Sequence, residues 1–216
     1  MESNNLVFSI LITILIFSGI LYSIIIHEIS HGFVAQKLGD DTAKLSGRLS
    51  FNPIVHIDLF GTIILPLLLF LFNLPIFGWA KPVPVNPNKM ENPKLDFFIA
   101  SLAGPLTNLL VAILLGLILR FFQIPTFIHS FLVVMVQINL ILMVFNILPI
   151  PPLDGSKVLG LFMSHEKFFV LQQYGMYILF GVILLSSAIP IIPFIINRVV
   201  SFFFGLITGI QVTDAL

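Results

Sequence analysis

Residues 21–36 read L-Y-S-I-I-I-H-E-I-S-H-G-F-V-A-Q, and this stretch decides how the chain is organised. It lies in an apolar run, residues 6–36, in which Glu28 is the only side chain that is charged at neutral pH. Such a run is long enough to cross a bilayer as a helix, where an isolated carboxylate is costly. His27 and His31 flank this carboxylate and are the nearest groups that can stabilise it.

The two histidines have the spacing of a metal site. Because His27 and His31 are four positions apart, they project from one face of an α-helix, roughly 40° apart around its axis. Each can give a ring nitrogen to one metal ion, while Glu28 reaches a metal-bound water without being a ligand. Zinc lowers the pKa of such a water, and the carboxylate takes and delivers the proton. The alternative is a hydrogen-bonded polar patch between helices.

The composition predicts a membrane protein. Of the 216 residues, 58% are hydrophobic and 9% are charged, and the mean hydropathy of +1.10 is far above that of soluble domains. Lys plus Arg equals Asp plus Glu at ten each, so the net charge does not favour a nucleic-acid partner. The absence of cysteine excludes disulfides and Cys-ligated metals, which leaves histidine and carboxylate as metal ligands.

Apolar segments of membrane-spanning length predict an all-α, polytopic transmembrane helix bundle. We expect one membrane-embedded domain over residues 1–216, with a core at 6–160 and C-terminal helices at 168–211. Whether the last segment spans the membrane is open. The segments lie at 6–36, 59–79, 97–122, 127–148, 168–189 and 191–211.

The segment 59–79 is predicted to follow a re-entrant or hairpin path. The loops before and after it both carry lysine or arginine, which favours the cytoplasmic side for both. A single crossing would place these loops on opposite sides. The segment also contains helix breakers that suit a bent path sheltered by other helices, namely Gly61, Pro66, Pro75 and Gly78. This topology places the N-terminus outside.

Asp154 is the candidate for a third metal ligand, because a catalytic zinc commonly has three protein ligands. It follows the fourth segment in N-I-L-P-I-P-P-L-D-G at 146–155, where the prolines end the helix and Gly155 permits a tight turn. If 59–79 returns to its own side, Asp154 lies at the same end of the bundle as the C-terminal half of the first helix. A single crossing by 59–79 would place it at the opposite end.

Five motifs in order cover most of residues 20–160, namely H-E-I-S-H at 27–31, H-I-D-L-F-G-T at 56–62, G-W-A-K-P-V-P-V-N-P at 78–87, A-S-L-A-G-P-L-T-N at 100–108 and N-I-L-P-I-P-P-L-D-G at 146–155. Together they resemble the site-2 protease family of intramembrane zinc metalloproteases, in its compact prokaryotic branch. The resemblance implies one zinc ion per chain, with His27, His31 and Asp154 as ligands and Glu28 as the catalytic base. Too few soluble residues remain for the PDZ or C-terminal regulatory domains of related enzymes.

Further polar residues near these motifs have more than one interpretation. Asn108 either donates to a developing oxyanion or positions substrate, or it forms an interhelical hydrogen bond. Asn146 has the same possible roles, and it can also hydrogen-bond to a zinc-bound imidazole. For His56 and Asp58 we expect local pairing rather than a metal role. The alternating prolines of 78–87 favour an extended backbone, which serves either as an edge for substrate strand addition or as a stiff linker.

The predicted function is an intramembrane zinc endopeptidase that cleaves membrane-protein substrates in or near their transmembrane segments. Its alternatives are a metal-ion transporter, in which Glu28 has no necessary chemistry, and a non-catalytic zinc-binding membrane protein. The predicted partners are these substrates and the lipid bilayer, without nucleic acid and with the oligomeric state open. The predicted location is a prokaryotic cell membrane, with the active site towards the cytoplasmic side.

Overall fold

The computed structural model describes residues 2–73 and 78–210, without the side chains of residues 2–9, 187 and 188. In this part of the chain, all regular secondary structure is helical. Of the α-helices, the first, fourth, fifth and ninth are long and apolar enough to cross a membrane, which confirms the predicted all-α bundle. In chain order they are α1 (Glu2–Lys37), α2 (Thr42–Leu45), α3 (Leu65–Leu71), α4 (Pro93–Phe121), α5 (Thr126–Asn146), α6 (Leu159–Phe162), α7 (His165–Gln173), α8 (Gly175–Ala188) and α9 (Ile191–Thr208).

The centre of the bundle is formed by α4 and α5, and α9 packs against both. Small residues allow the backbones to approach closely, as is usual in membrane bundles. At Gly116 of α4, for example, an added Cβ would overlap the side chain of Ile207 in α9. The C-terminal helix α9 therefore shares the main core, whose buried members include Ala112, Leu119, Leu132, Val136, Leu140, Val200 and Phe204.

Helix α1 packs along the other side of α4 and runs antiparallel to it. His31 near the end of α1 contacts Ala100 near the start of α4, whereas Ser23, further back along α1, contacts Asn108, further along α4. Since α4 and α5 are joined by a short turn, α5 returns in the direction of α1. The C-terminal ends of α1 and α5 consequently lie at the same end of the bundle.

The segment 59–79 leaves this end of the bundle and comes back to it. It starts with a π-helical turn, Leu59–Ile64, and continues as α3. Residues 74–77, with the predicted breaker Pro75, lie outside the described residues. The chain is described again from residue 78, where it already lies beside the start of the segment.

Hydrogen bonds join the two ends of this segment directly. The amide of Trp79 donates to the carbonyl of Gly61 at 3.1 Å, and the hydroxyl of Thr62 donates to the carbonyl of Trp79 at 2.8 Å. The amide of Lys81 donates to the carbonyl of His56 at 2.8 Å. Such closure is what the predicted hairpin requires, because a segment that crossed the bilayer once would have its ends about 30 Å apart.

The apolar segment predicted at 168–189 is not one continuous helix in the structure. It is divided into α7 and α8, which are bent by 54° at Tyr174, and α7 begins three residues earlier, at His165. At the bend Gly175 lies against Pro152, where an added Cβ would be 3.0 Å from the proline nitrogen. The run predicted at 191–211 ends as a helix at Thr208, and residue 211 lies outside the described residues.

The close contact between Gly61 and Trp79 leads to a stability prediction. In a Gly61→Ala variant, the added Cβ would overlap the Trp79 indole, so we expect the free energy of unfolding to fall by about 1–3 kcal/mol. Trp79 is the only tryptophan, so its emission should also shift to longer wavelength. Both are measured in detergent by thermal unfolding and fluorescence.

The matched control is Gly181→Ala in α8, where, apart from the adjoining residues and backbone of the same helix, no atom of the described residues lies within 4 Å of the added Cβ. This control should keep the wild-type emission and melting temperature. Equal behaviour of the two alanine variants would contradict the close packing of the hairpin ends.

Candidate metal centre

Three potential metal ligands converge where α1, α4 and the chain after α5 meet. The Nε2 atom of His27 lies 3.1 Å from Oδ2 of Asp154, and Nε2 of His31 lies 3.3 Å from the same oxygen. One ligand atom from each residue lies within 4.8 Å of the others. In a tetrahedral zinc site, with bonds of about 2.0–2.1 Å, ligand atoms stand about 3.3 Å apart. These spacings therefore fit a zinc ion.

A chain of side-chain hydrogen bonds determines the tautomer of His27. Asn108 donates through its Nδ2 atom to Oδ1 of Asn139 at 2.9 Å and to the carbonyl of Ser23 at 3.3 Å. Its own Oδ1 lies 2.5 Å from Nδ1 of His27. Because this oxygen can only accept, Nδ1 of His27 carries a proton, and in the neutral imidazole its Nε2 then has the lone pair.

The same reasoning applies to His31. Its Nδ1 atom lies 2.9 Å from the carbonyl oxygen of Ala100 and must donate to it. Its Nε2 atom is buried and has no hydrogen-bond partner among the described residues. In these tautomers, the two Nε2 lone pairs and the Asp154 carboxylate face one another. A cation between them relieves the repulsion of three acceptors, so the donor set also fits zinc.

Gly104 allows α4 to approach both imidazoles. A Cβ at this position would overlap Nε2 of His31 and lie 2.5 Å from Nε2 of His27. Any side chain here would therefore occupy the space beside the ring nitrogens that face Asp154. This accounts for a glycine at residue 104, inside an otherwise regular apolar helix.

Glu28 is held by the extended segment that follows the hairpin. Its Oε2 atom accepts a hydrogen bond of 2.8 Å from the amide of Val83. The carboxylate lines a cavity of about 250 Å³ together with His31 and Asp154. It also lines a cavity of about 520 Å³ together with His27 and Asp154. Glu28 thus lies between two spaces that both reach the candidate ligands.

Two buried charged residues fix the extended segment, residues 80–86, at this position. Arg48 donates to the carbonyls of Lys81 and Pro82, at 2.6 and 3.1 Å. Asp40 accepts from the amide of Asn86 at 2.6 Å. Burial alone would raise the pKa of the Asp40 carboxyl, but hydrogen bonds from Thr42 and from this amide hold that pKa below its ordinary value. The segment is therefore attached to the loop after α1 at both ends.

The remaining polar residues named from the sequence lie outside the three-ligand cluster. Asn146 lines the larger cavity, and its Nδ2 atom donates to the carbonyl of Leu142 in its own helix at 2.9 Å. His56 makes a local contact with the carbonyl of Ser50 at 2.8 Å. Asp58 accepts from the amide of Gly61 at 2.7 Å.

Asn139 is a site residue that the sequence reasoning missed. It is fully buried in α5, accepts from Asn108, and donates to the hydroxyl of Ser23 at 3.0 Å and to the carbonyl of Met135 at 2.8 Å. The available signal was an asparagine in the middle of an apolar membrane helix, where a polar group needs a partner. Its helical register alone could not identify that partner.

Comparison with known proteins relates the chain to one family. Residues 123–187 match the profile described as peptidase family M50. The chain is 40% identical over 149 residues to YwhC of Bacillus subtilis, which covers 65% of each protein. It is 31% identical over 182 residues to Rip2 of Mycolicibacterium smegmatis, with 82% of this chain and 68% of Rip2 covered. Against MJ0611 of Methanocaldococcus jannaschii it is 32% identical over 155 residues, with 70% and 72% covered.

The names of these three relatives assign them to the zinc metalloproteases. No solved structure shows a significant match to the chain. The matched profile includes Asp154 but not the two histidines.

The hydrogen-bond chain to His27 leads to a prediction about zinc affinity. An Asn139→Leu variant removes one of the two acceptors of the Asn108 amide and leaves only the Ser23 carbonyl at 3.3 Å, so the tautomer of His27 is held less firmly. We expect zinc affinity to fall by roughly 10- to 100-fold, as measured by competition with a chelator on protein of unchanged gel-filtration profile. Asn146→Leu, in the same helix, is the control and should bind zinc as the wild type does. Equal affinities of both variants would contradict this role.

Proposed function

Because this chain belongs to peptidase family M50, a family of zinc metalloproteases, we propose that it is an intramembrane endopeptidase. Its substrates are membrane proteins, cleaved in or near their transmembrane segments. The family was predicted from the motifs, and both the metalloprotease class and the zinc cofactor follow from it. The observation that carries the proposal is the convergence of three acceptor atoms beside Glu28, two of them on α1, which is long enough to cross a bilayer.

In this proposal His27, His31 and Asp154 hold the zinc ion. When bound there, zinc supplies Lewis-acid polarisation of the scissile carbonyl and lowers the pKa of water. Two neutral imidazoles and one carboxylate leave a net charge of +1 on such a centre. Asn108 orients His27 through the bond to Nδ1. Because both amide hydrogens of Asn108 are already donated to Ser23 and Asn139, we favour this role over donation to an oxyanion.

Glu28 is the proposed general base and acid. It takes a proton from the attacking water and delivers it to the nitrogen of the leaving amine. It is adjacent to His27 in sequence and points roughly 100° away from it around the helix axis, so it approaches the metal site without ligating. The Val83 amide engages one of its two oxygens and thereby fixes the direction of the carboxylate.

The extended segment provides an edge to which substrate can bind. A helical peptide bond is shielded, so a transmembrane substrate must unwind before water can attack it. Among the residues that the structure describes, the carbonyl of Val83 and the amide of Val85 have no hydrogen-bond partner. Both residues line the 250 Å³ cavity with Glu28. An unwound substrate can pair with this edge by strand addition.

The 520 Å³ cavity on the other side of Glu28 suits apolar substrate side chains. It is lined by Trp79, Phe145 and Leu179 among others, and Asn146 is a polar group on its wall. We propose that Asn146 contacts substrate here rather than an imidazole. Pockets of this volume commonly combine an apolar lining with a few polar groups that orient the ligand.

The closure of the hairpin supports the proposed orientation in the membrane. With both ends of 59–79 at one end of the bundle, its basic flanking loops fall on a single side, which the charge rule assigns to the cytoplasm. The metal centre then lies towards the cytoplasmic side of a prokaryotic cell membrane, and the N-terminus lies outside.

A substitution of Glu28 distinguishes the proposed protease from a metal-ion transporter and from a non-catalytic zinc-binding protein. A Glu28→Gln variant should lose cleavage by at least about 100-fold, because general acid–base catalysis contributes roughly 10²–10⁴-fold. Its zinc content should stay at the wild-type level, since the residue is not a ligand. Cleavage is followed by quantitative proteomics of membrane fragments from cells that express either form, and zinc by elemental analysis.

The control for this substitution is Glu91→Gln, which changes an exposed carboxylate in the same way. It should yield the wild-type fragments. Undiminished fragment formation by Glu28→Gln would refute the protease, and zinc uptake into proteoliposomes containing the protein would support a transporter instead.

The substrate edge gives a second prediction. Val85→Pro removes the free amide but tolerates an extended backbone, so kcat/KM should fall roughly two- to twelve-fold, the value of one hydrogen bond of ~0.5–1.5 kcal/mol. Val85→Ala shortens the side chain and keeps the amide. If cleavage of a transmembrane peptide by the two variants is equal, the segment is a linker and not a binding edge.

A further inference from the structure

A third cavity, of about 430 Å³, lies beside the candidate metal centre. It is formed between the start of α4, the helix α7 and the segment before α4. We call it the aromatic pocket, because Phe97, Phe168 and Phe169 form much of its lining. Lys94 and Lys157 also line it. It therefore combines an apolar interior with two cationic side chains.

The aromatic pocket adjoins the space around the proposed catalytic residues. Three residues line both it and the 250 Å³ cavity that contains Glu28, His31 and Asp154, namely Val85, Phe97 and Lys157. One of these, Val85, carries the free amide of the substrate edge. A polypeptide paired with that edge would pass directly from the metal centre to the aromatic pocket.

The lysines of the pocket are bonded only to neutral acceptors. Lys94 donates to the carbonyl of Met163 at 2.7 Å. Lys157 donates to the carbonyl of Pro152 at 3.0 Å and to the side-chain oxygen of Gln172 at 2.9 Å. Among the described residues neither ammonium forms an ion pair with a carboxylate. The pocket therefore favours a ligand that brings a negative charge.

We propose that the aromatic pocket binds an apolar side chain of the polypeptide substrate on one flank of the scissile bond, while Lys94 and Lys157 attract an acidic side chain on the same face of the substrate strand. This inference rests on the proposed protease function. It specifies the substrates as segments in which an acidic residue flanks the apolar stretch within a few positions of the cleavage site.

The geometry of an extended chain determines which substrate side chains can face the aromatic pocket. Successive side chains of a strand point to opposite sides, and every second one advances by about 6.6–6.8 Å. A substrate strand that pairs with Val85 consequently presents alternate side chains towards the pocket. An anionic lipid has a similar mixture of apolar and acidic groups, but the position beside Val85 and Glu28 favours a peptide as the occupant.

A charge reversal tests the acidic preference. Wild-type enzyme with zinc is reconstituted in liposomes with transmembrane peptides that have a Leu-rich segment with six randomised residues on each side, and the products are sequenced. We expect cleaved peptides to carry Asp or Glu at one fixed distance from the cleavage site about two- to five-fold more often than neutral residues, as for an exposed ion pair. In Lys94→Glu this preference should vanish or turn towards Lys.

Lys44→Glu is the matched control, because it makes the same change of charge at an exposed position in α2. It should keep the preference for Asp and Glu. An unaltered preference in Lys94→Glu, or none in the wild type, would overturn the assignment of the pocket. If the wild type cleaves no peptide at all, the proposed function itself fails.

A crosslinking measurement tests occupancy without turnover. A photoreactive phenylalanine derivative replaces Phe168 in the Glu28→Gln background, and the same peptides are added before illumination. We expect peptide adducts at position 168 and none at position 121, an exposed phenylalanine at the far end of α4. Adducts with lipid only, or equal peptide labelling at both positions, would contradict the proposal.

Discussion

The mutual repulsion of three acceptor atoms is the constraint on which the rest of this structure depends. Nε2 of His27, Nε2 of His31 and a carboxylate oxygen of Asp154 face one another within 4.8 Å. A cation converts this repulsion into attraction, but only if the groups are held together by the fold. The C-terminal ends of α1 and α5 must therefore lie at one end of the bundle. The chain between α1 and α4 must return to that end without crossing the membrane. In addition, α4 must present no side chain at Gly104.

Much of this arrangement could be predicted because it follows from periodicity and charge. The spacing of His27 and His31 determines that they share a helix face. The basic loops around 59–79 predicted that its ends lie together, and the search for a third ligand led to Asp154 by the same topology. These features depend on local geometry and on the cost of burying charge, both of which can be evaluated along a single sequence.

The remaining features depend on contacts between distant parts of the chain. The bonds that Asn108 makes to His27 and Asn139 require the rotational setting of three helices, which hydropathy does not determine. The 54° bend at Tyr174 was not anticipated because the apolar run continues through it. Likewise, the prolines after the hairpin predicted an extended backbone. The sequence did not indicate that hydrogen bonds to Arg48 and Asp40 would hold this segment in place.

The hydrogen bond between Glu28 and the amide of Val83 couples proton transfer to the alignment of the substrate. In the proposed mechanism, the same carboxylate moves the proton and anchors the strand along which the substrate is aligned. On an antiparallel edge, equivalent hydrogen bonds recur only at every second residue, about 6.7 Å apart. A substrate that slips along Val83 and Val85 must therefore move by two residues at a time. The enzyme would then divide each unwound segment into cleavable and protected peptide bonds in alternation, a form of selectivity that requires no recognition of side chains.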